Sequence, residues 1–386
     1  MMPPIEFDTE WFRRHLLSDI LPNWLRGSVT SEGLFLPRLD RRWNRLGGNY
    51  GTLVSQSRLL YNFSVGYELT GDEAYFEAVD SGVDFLLANF RDEKLGGWYW
   101  SCRLDGGVLD SHKDCYGHAF VIFGLSHAYR VLGDERLIEE ALETWRLMKD
   151  RFIDEHGGFW WRLSRDYKRI EDVKSQNPMM HTFEALLALS EIEGLEHIRD
   201  EAAEVADFVT EKLRRKDGVL PEVFTADWRE LPADRGGRID LGHAFEWAYL
   251  LSKASDMGLS PKYLEYAYEF LDYGFRMGYD RVNGGIFSPA TPDGRVIRRK
   301  GWWEQCEAIR AMMHFAIKRG RKDLFEPLNE TLRFVRQNYV DPEFGGWYKS
   351  IEGENSMRDE SKGDEWKVDY HIVGMCMEAI NLSGSL

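Results

Sequence analysis

Cysteine is scarce in this chain, with 4 among 386 residues, and Cys102, Cys115, Cys306 and Cys376 show no Cys-x-x-Cys spacing. That excludes a thiolate zinc site and a disulfide framework, and free thiols in a reducing cytosol are expected. Basic charge is also short: 49 Lys and Arg against 65 Asp and Glu give a formal net charge of −16. Nucleic acid and anionic membrane surfaces both call for basic patches, so neither is an expected partner. No apolar run is long enough to cross a bilayer, and the first helical stretch of the chain mixes charges into its apolar positions. Neither a membrane span nor a secretory leader is therefore read. A cytoplasmic protein, monomer or homodimer, is expected.

Aromatic residues are in excess, at 14% with 14 Trp, beside an apolar share of 43%. Most such rings fill cores, but Trp beside acidic and amide groups also suits stacking on sugar faces.

A repeat organises the chain. Gly-aromatic or Gly-aliphatic turns recur at Gly33-Leu34-Phe35, Gly97-Trp98-Tyr99, Gly158-Phe159-Trp160, Gly218-Val219-Leu220, Gly285-Ile286-Phe287 and Gly346-Trp347-Tyr348. From Gly33 to Gly346 these six glycines are evenly spaced to within about two helical turns. Several turns follow an acidic residue, among them Asp92, Asp154, Asp280 and Asp341.

Amphipathic helices with one charged face are read over 8–24, 75–90, 137–152, 198–213, 263–277 and 324–339. Between them lie six helices that are apolar nearly all round, over 52–69, 116–132, 180–192, 241–257, 302–316 and 370–380. The second kind is buried and the first faces water. An open solenoid would need polar end caps, yet the last buried helix is as apolar as the others. Closing the array into a ring removes that problem. The expectation is one (α/α)6 barrel over residues 1–386, against an open solenoid or two helical domains.

If the buried helices run parallel, their N-termini meet at one end. There the sequence places Arg58; His112, Tyr116 and His118; Asn177, His181 and Glu184; Arg238, His243 and Glu246; Trp302, Trp303, Glu304 and Glu307; and Trp366, Asp369 and His371. Five of the ten histidines fall in this set. Helix N-termini also favour an anion where they converge. Three chemistries compete. A metal could take His181/Glu184 and His243/Glu246, but the His-x-x-Glu order reverses that of bundle di-metal sites, and no metal is expected. An inverting glycosidase would need two opposed carboxylates, with Asp114, Glu246, Glu304 and Glu307 as candidates, but no need for several histidines. Proton transfer beside a carbonyl uses imidazoles as base and acid near neutral pH.

Together, Gly242-His243-Ala244-Phe245-Glu246-Trp247, Asn177-Pro178-Met179-Met180-His181, Gly301-Trp302-Trp303-Glu304-Gln305-Cys306-Glu307 and Asp369-Tyr370-His371 resemble the N-acylglucosamine 2-epimerase family. Ser57-Arg58, Tyr116-Gly117-His118-Ala119-Phe120 and the Gly-Gly-Trp-Tyr turns add to that resemblance, which runs from about residue 10 to the C-terminus. It implies an (α/α)6 barrel without a cofactor, acting on a monosaccharide or disaccharide through a cis-enediolate. By resemblance, His243 and His371 are the two acid–base residues, Glu246 orients and charges His243, and His181, with Asn177 beside it, serves ring opening or hydrogen bonding at O1/O5. Arg58 would hold the enediolate oxygen and Tyr116 a hydroxyl. Trp302 and Trp366 would stack on the sugar, and Glu307 would join the substrate-binding set. For His112, His118, Glu304 and Arg238 a structural role is weighed equally.

Proton return to C1 gives aldose–ketose isomerisation and return to the other face of C2 gives 2-epimerisation. Phe-Glu-Trp after His243 resembles the mannose isomerase branch, so mannose to fructose is the expected reaction. A 2-epimerase of mannose, glucose, cellobiose or N-acylglucosamine comes next, then a glycosidase or a non-catalytic carbohydrate-binding barrel.

Overall fold

A computed structural model describes residues 7–351 and 358–385. Residues 1–6, part of the stretch read for a leader, lie outside them. Among the described residues two kinds of helix alternate. The inner ones are α3 (Leu53–Thr70), α5 (Cys115–Leu132), α7 (Asn177–Leu189), α9 (Leu241–Asp256), α11 (Trp302–Lys318) and α13 (Tyr370–Leu382). The outer ones are α4 (Glu73–Phe85), α6 (Glu135–Arg151), α8 (Ile198–Asp207), α10 (Lys262–Gly278), α12 (Phe325–Asn338), and a first member made of α1 (Thr9–Arg14) and α2 (Leu21–Ser28). A π-helical stretch, His15–Ile20, joins α1 to α2, and others extend α4 and α8 (Leu86–Phe90 and Phe208–Leu213). This is the expected (α/α)6 barrel.

Composition explains the two layers. Every residue of α5 from Cys115 to Ser126 is buried, whereas α6 buries only Leu137, Ile138, Ala141, Thr144, Trp145 and Met148. The second set follows one stripe of a 3.6-residue period, so α6 lies on the inner ring with its charges in water. A short turn then sets direction. Gly71 and Gly133 end α3 and α5 in the left-handed region, at φ 67°, where glycine carries no Cβ penalty. Asp72 and Asp134 cap the next helix by accepting from the N–H of Ala74 and Arg136. Each outer helix therefore runs back along its inner one, and all inner helices begin at the same end.

That end carries the Gly-aromatic turns as a rim of short strands. The strands leading into α3, α5 and α7 each pair antiparallel with a strand of the next repeat. β1 (Tyr50–Thr52) pairs with β2 (Ser101–Arg103), which also pairs with β3 (Val108–Asp110); Tyr50 faces Arg103 and Thr52 faces Ser101. β4 (Lys113–Asp114) pairs with β5 (Arg162–Leu163), and β6 (Val173–Ser175) with β7 (Val223–Thr225). Single bridges continue the series at Ile239–Ala290 and close it at Leu39–Gly363.

The acidic turn residues have a job in this rim. Four repeats follow the turn acid with a lysine farther along the same rim segment, ahead of the next inner helix, and the two form a largely buried ion pair. These are Asp92–Lys113 (3.0 Å), Asp154–Lys174 (2.6 Å), Asp280–Lys300 (2.8 Å) and Asp341–Lys362 (2.9 Å). Aromatic residues lock neighbouring repeats: Tyr167 donates to the Gly96 carbonyl (2.9 Å) and Trp228 to that of Gly157 (2.7 Å). Across the closure Trp43 donates to the Phe344 carbonyl (2.9 Å), and Trp24 donates to Asp369 (2.8 Å). Gly97 and Gly346 sit under Tyr167 and Trp43 at φ 65° and 67°, and a Cβ on either would collide with the ring residue above. No helix among the described residues is long and apolar enough to cross a membrane.

Candidate active site

Two imidazoles stand at the N-termini of nonadjacent inner helices, each backed by its own carboxylate. His243 is the third residue of α9, which Asp240 caps by accepting from Gly242 N–H (3.1 Å). Its Nδ1 lies 2.7 Å from Oε2 of Glu222, the residue just before β7. Glu222 is itself fixed, accepting from Ser175 Oγ (2.9 Å) and Gln176 Nε2 (2.7 Å), while Gln176 Oε1 accepts from Trp247 Nε1 (2.7 Å). Burial disfavours charge on His243, but Glu222, Asp240 and Glu246 together outweigh it and hold its pKa up at about 10.

His371, second in α13, is the counterpart. Its Nδ1 lies 2.7 Å from Glu307 Oε1 of α11. Burial, together with the positive charges of Arg58 and Arg310, pushes its pKa well below the usual imidazole range. Burial and Glu184 in turn raise the Glu307 carboxyl to about 7. At neutral pH one histidine is therefore an imidazolium and the other a neutral base. Trp303 lies against both, its ring centroid 4.9 Å from that of His243 and 5.5 Å from that of His371.

His181 forms a third such pair, with Nδ1 3.0 Å from Glu184 Oε2, and the Tyr370 hydroxyl donates to the same carboxylate oxygen. Its ring meets Tyr116 (4.9 Å) and Phe120 (4.8 Å). Arg58 donates to the Tyr116 hydroxyl and to the Trp366 carbonyl (3.0 Å), with its guanidinium over Phe120 (4.2 Å) and Tyr370 (4.8 Å). Trp366 is 48% exposed and stacks toward Trp100 at 5.7 Å, at the outer edge of this cluster. The structure thus gathers Arg58, Tyr116, His181, Glu246, Glu307, Trp366 and His371 around one another. His243 joins them through Trp303, and Trp302 through a T-shaped contact with His371 at 5.7 Å. Asn177 keeps a buried Oδ1 without a hydrogen-bond partner.

Three details differ from expectation. Glu246 does not orient His243. At the start of a helix the His243 ring reaches up to the rim, where Glu222 takes Nδ1, whereas Glu246 lies one turn deeper. It is fully buried, and neither carboxylate oxygen has a partner. Burial beside Glu307 and Glu184 pushes its pKa well above the carboxylate range. Glu307, placed among substrate-binding residues, is bonded to His371. Trp303, rather than Trp302, is the indole shared by both histidines. Sequence alone gives no role to Glu222, Gln176 or Trp303; the signal for Glu222 is an acid just past the Gly218 turn.

Among the equally weighed residues, His118 is structural: it accepts from Trp98 N–H (3.1 Å), and burial lowers its pKa to about 3. His112 stacks on Trp100 (5.2 Å). The Arg238 carbonyl accepts from Glu222 N–H (2.8 Å). Glu304 is buried against Gly242 and Gly301, and burial, with Asp240 nearby, raises its pKa to about 8.

A profile of the N-acylglucosamine 2-epimerase family matches residues 35–375. The chain belongs to that family. A cellobiose 2-epimerase of Bacteroides fragilis is 25% identical over 95% of this chain and 97% of its own. A D-mannose isomerase of Marinomonas mediterranea is 27% identical over 97% and 98%. The crystal structure of a D-mannose isomerase superposes with a TM-score of 0.90 at 25% identity, covering 98% of this chain and 99% of that one. This N-acylglucosamine 2-epimerase family member is an isomerase or epimerase of sugars. Two groups in the cluster have metal-ligand spacing, with ligand atoms within 4.8 Å: His181/Glu184/Glu246 and Glu246/Glu307/His371. Glu246 belongs to both, so a proton, a substrate hydroxyl or a cation would each satisfy it.

Proposed function

We propose that the protein interconverts D-mannose and D-fructose through a cis-enediolate, with His371 as base and His243 as acid. The observation that carries this reading is the pair of carboxylate-backed imidazoles, one protonated and one neutral, flanking one indole. His371 takes the C2 proton of the open-chain aldose, and the C–H electron pair forms the C1=C2 double bond. His243 gives its proton to O1. The imidazolium of His371 then protonates C1, O2 returns its proton to His243, and the ketose forms. Arg58, with Tyr116, stabilises the enediolate oxygens. Neutral His181, backed by Glu184, serves ring opening. Glu246, kept protonated by its carboxylate neighbours, donates to a sugar hydroxyl. A glycosidase reading loses support because two of its four candidate acids are engaged elsewhere, Glu307 with His371 and Asp114 with the Gly117 N–H.

The same charge asymmetry favours a second reading, 2-epimerisation, in which His243 protonates the opposite face of C2. Incubation with mannose in D2O, followed by NMR, separates the two. Fructose labelled at C1 is the expected product, and glucose labelled at C2 would identify the epimerase. No product from mannose would overturn the choice of substrate and direct the same assay to cellobiose and N-acylglucosamine.

A further inference from the structure

Arg310, one turn beyond Glu307 on α11, has no assigned role, yet it is the guanidinium packed behind the catalytic base. Its Nη1 lies 3.6 Å from Glu307 Oε2, the oxygen that His371 does not use and that has no hydrogen-bond partner. Its side chain is 11% exposed and that of Glu307 is 0%. The guanidinium is clamped on its other side, with Cζ 3.8 Å from the Tyr249 ring centroid. Tyr249 is held in turn, its hydroxyl donating to Glu378 Oε2 (3.0 Å) while Glu378 Oε1 lies 2.8 Å from His314 Nδ1. Opposite, α13 has Gly374, where a Cβ would come within 3.2 Å of Arg310 Nη1 and 3.4 Å of Cζ. The glycine makes room for the charge.

A cavity of about 370 Å³ opens at the far end of the barrel and is lined by Arg310, Tyr249, Gly374 and Glu378 together with Glu184 and Tyr370. One side of the guanidinium therefore meets this cavity while the other faces the carboxylate layer. Charge can be solvated from the back and felt at the front, which relieves the desolvation that makes an isolated buried cation costly.

We propose that Arg310, seated by Gly374 and Tyr249, is the positioning residue that keeps Glu307 ionised and aligned on His371 Nδ1. This rests on His371 being the base in the reaction above. Without Arg310, Glu307 would share its site with Glu184 and Glu246, and three carboxyl groups crowded together favour protonation. A protonated Glu307 loses the charge-assisted hydrogen bond that orients the imidazole. The remaining charged or titratable groups around the pair are Arg58 from α3, His181 and Glu184 from α7, and His243, Glu246 and Tyr249 from α9. Tyr61 from α3, Cys306 on α11 itself, and Tyr370 and Glu378 from α13 join them.

The test follows two readouts in the full-length protein, wild type against Arg310→Met, Arg310→Lys and Gly374→Ala. The first is the acid limb of kcat for the sugar reaction. The second is the ¹⁵N signal of His371 Nδ1 titrated without substrate, which reports Glu307 even if the wild type turns over none of the sugars tried. The wild type should inflect near 7 in both. Arg310→Met should move the inflection up by about one to three pH units and lower kcat at pH 7 by about tenfold or more. Arg310→Lys should restore most of both. Gly374→Ala, which displaces the guanidinium by only a few tenths of an ångström, should move the inflection in the same direction by less. It decides the matter if Arg310→Met does not fold. An inflection unmoved in Arg310→Met, moved equally in Arg310→Lys, or unmoved in Gly374→Ala would overturn the proposal. A wild type inactive on every sugar, with the titration shift intact, would instead refute the assigned reaction.

Discussion

Replacing Glu222 by Gln isolates what the rim contributes to the acid–base pair. The exchange keeps the size and most hydrogen bonds of a residue that touches Ser175, Gln176 and His243, and removes one charge. Burial alone would drive His243 below its ordinary 6.5, yet it stands at about 10, with Glu222 the largest favourable influence and Asp240 and Glu246 behind it. That displacement corresponds to roughly 5 kcal/mol at about 1.36 kcal/mol per pH unit. Without Glu222 the burial penalty remains while its main compensation is gone, so His243 should be neutral at pH 7. Turnover at pH 7 should fall by about 10²-fold, the lower range for losing a positioned acid. The alkaline limb, near 10 in the wild type, should drop below about 7. Stability carries a matching signature. A histidine whose folded pKa exceeds its unfolded one stabilises fully below pH 6.5 and loses that contribution as pH rises through 10. The variant should therefore be less stable by about 3 kcal/mol near pH 7, at the low end for breaking a buried pair because His243 can shed its proton. The deficit should vanish towards pH 10. Urea midpoints from pH 6 to 10 beside pH–rate profiles measure both. Wild-type turnover with an alkaline limb still near 10 would refute the assignment of Glu222 as the residue that charges His243.

Alanine at His371 or His243 should each reduce turnover by about 10²- to 10⁴-fold with unchanged circular dichroism; near-wild-type rates in either would sink the two-histidine mechanism. Trp303→Ala removes the ring that both histidines touch and should cost about tenfold, chiefly in kcat, since each aromatic contact is worth about 0.5–1.5 kcal/mol; a loss confined to KM would make Trp303 a binding residue only. In the rim, burial opposes ionisation of Asp92, Asp154, Asp280 and Asp341, but hydrogen bonds to Lys and Arg prevail and hold each below the ordinary 3.8. Their contribution to stability is present above pH 3.8 and lost as pH falls below it, so urea midpoints should drop steeply on acidification, and Asp341→Asn should flatten that slope. Lys174→Met should destabilise by about 3 kcal/mol, because it leaves the Asp154 carboxylate buried without its lysine.

The repeat was legible because both of its signals are local. A Gly turn needs a left-handed backbone wherever it occurs, and an all-apolar helix differs from a striped one within a few turns of sequence. The inner-helix ranges read from those signals lie within one helical turn of the observed ones at every end. What stayed hidden depends on packing between successive repeats. Glu222 reaches His243 from the preceding stretch of the rim, and Glu307 reaches His371 from a neighbouring inner helix. Both contacts join one repeat to the next and are set only when neighbouring repeats pack. Arg310 was hidden for a related reason, since its meaning comes from Gly374 and Tyr249 on two other helices.

The error over Glu246 shows the same limit from the other side. Residues three apart on a helix do share a face, and that rule paired Glu246 with His243. It describes neighbours on an isolated helix, and α9 is not isolated at either residue. His243 lies where the helix meets the rim, so strand partners compete for its ring. Glu246 lies one turn down, where only other inner helices remain, and it faces the carboxylates of α7 and α11. The pairing that sequence proximity suggests was displaced by a charge from the next layer. The acid so released is buried, with neither carboxylate oxygen hydrogen-bonded. On α9 the first turn belongs chemically to the rim and the second to the axis, and there depth decides a residue's partner before spacing does.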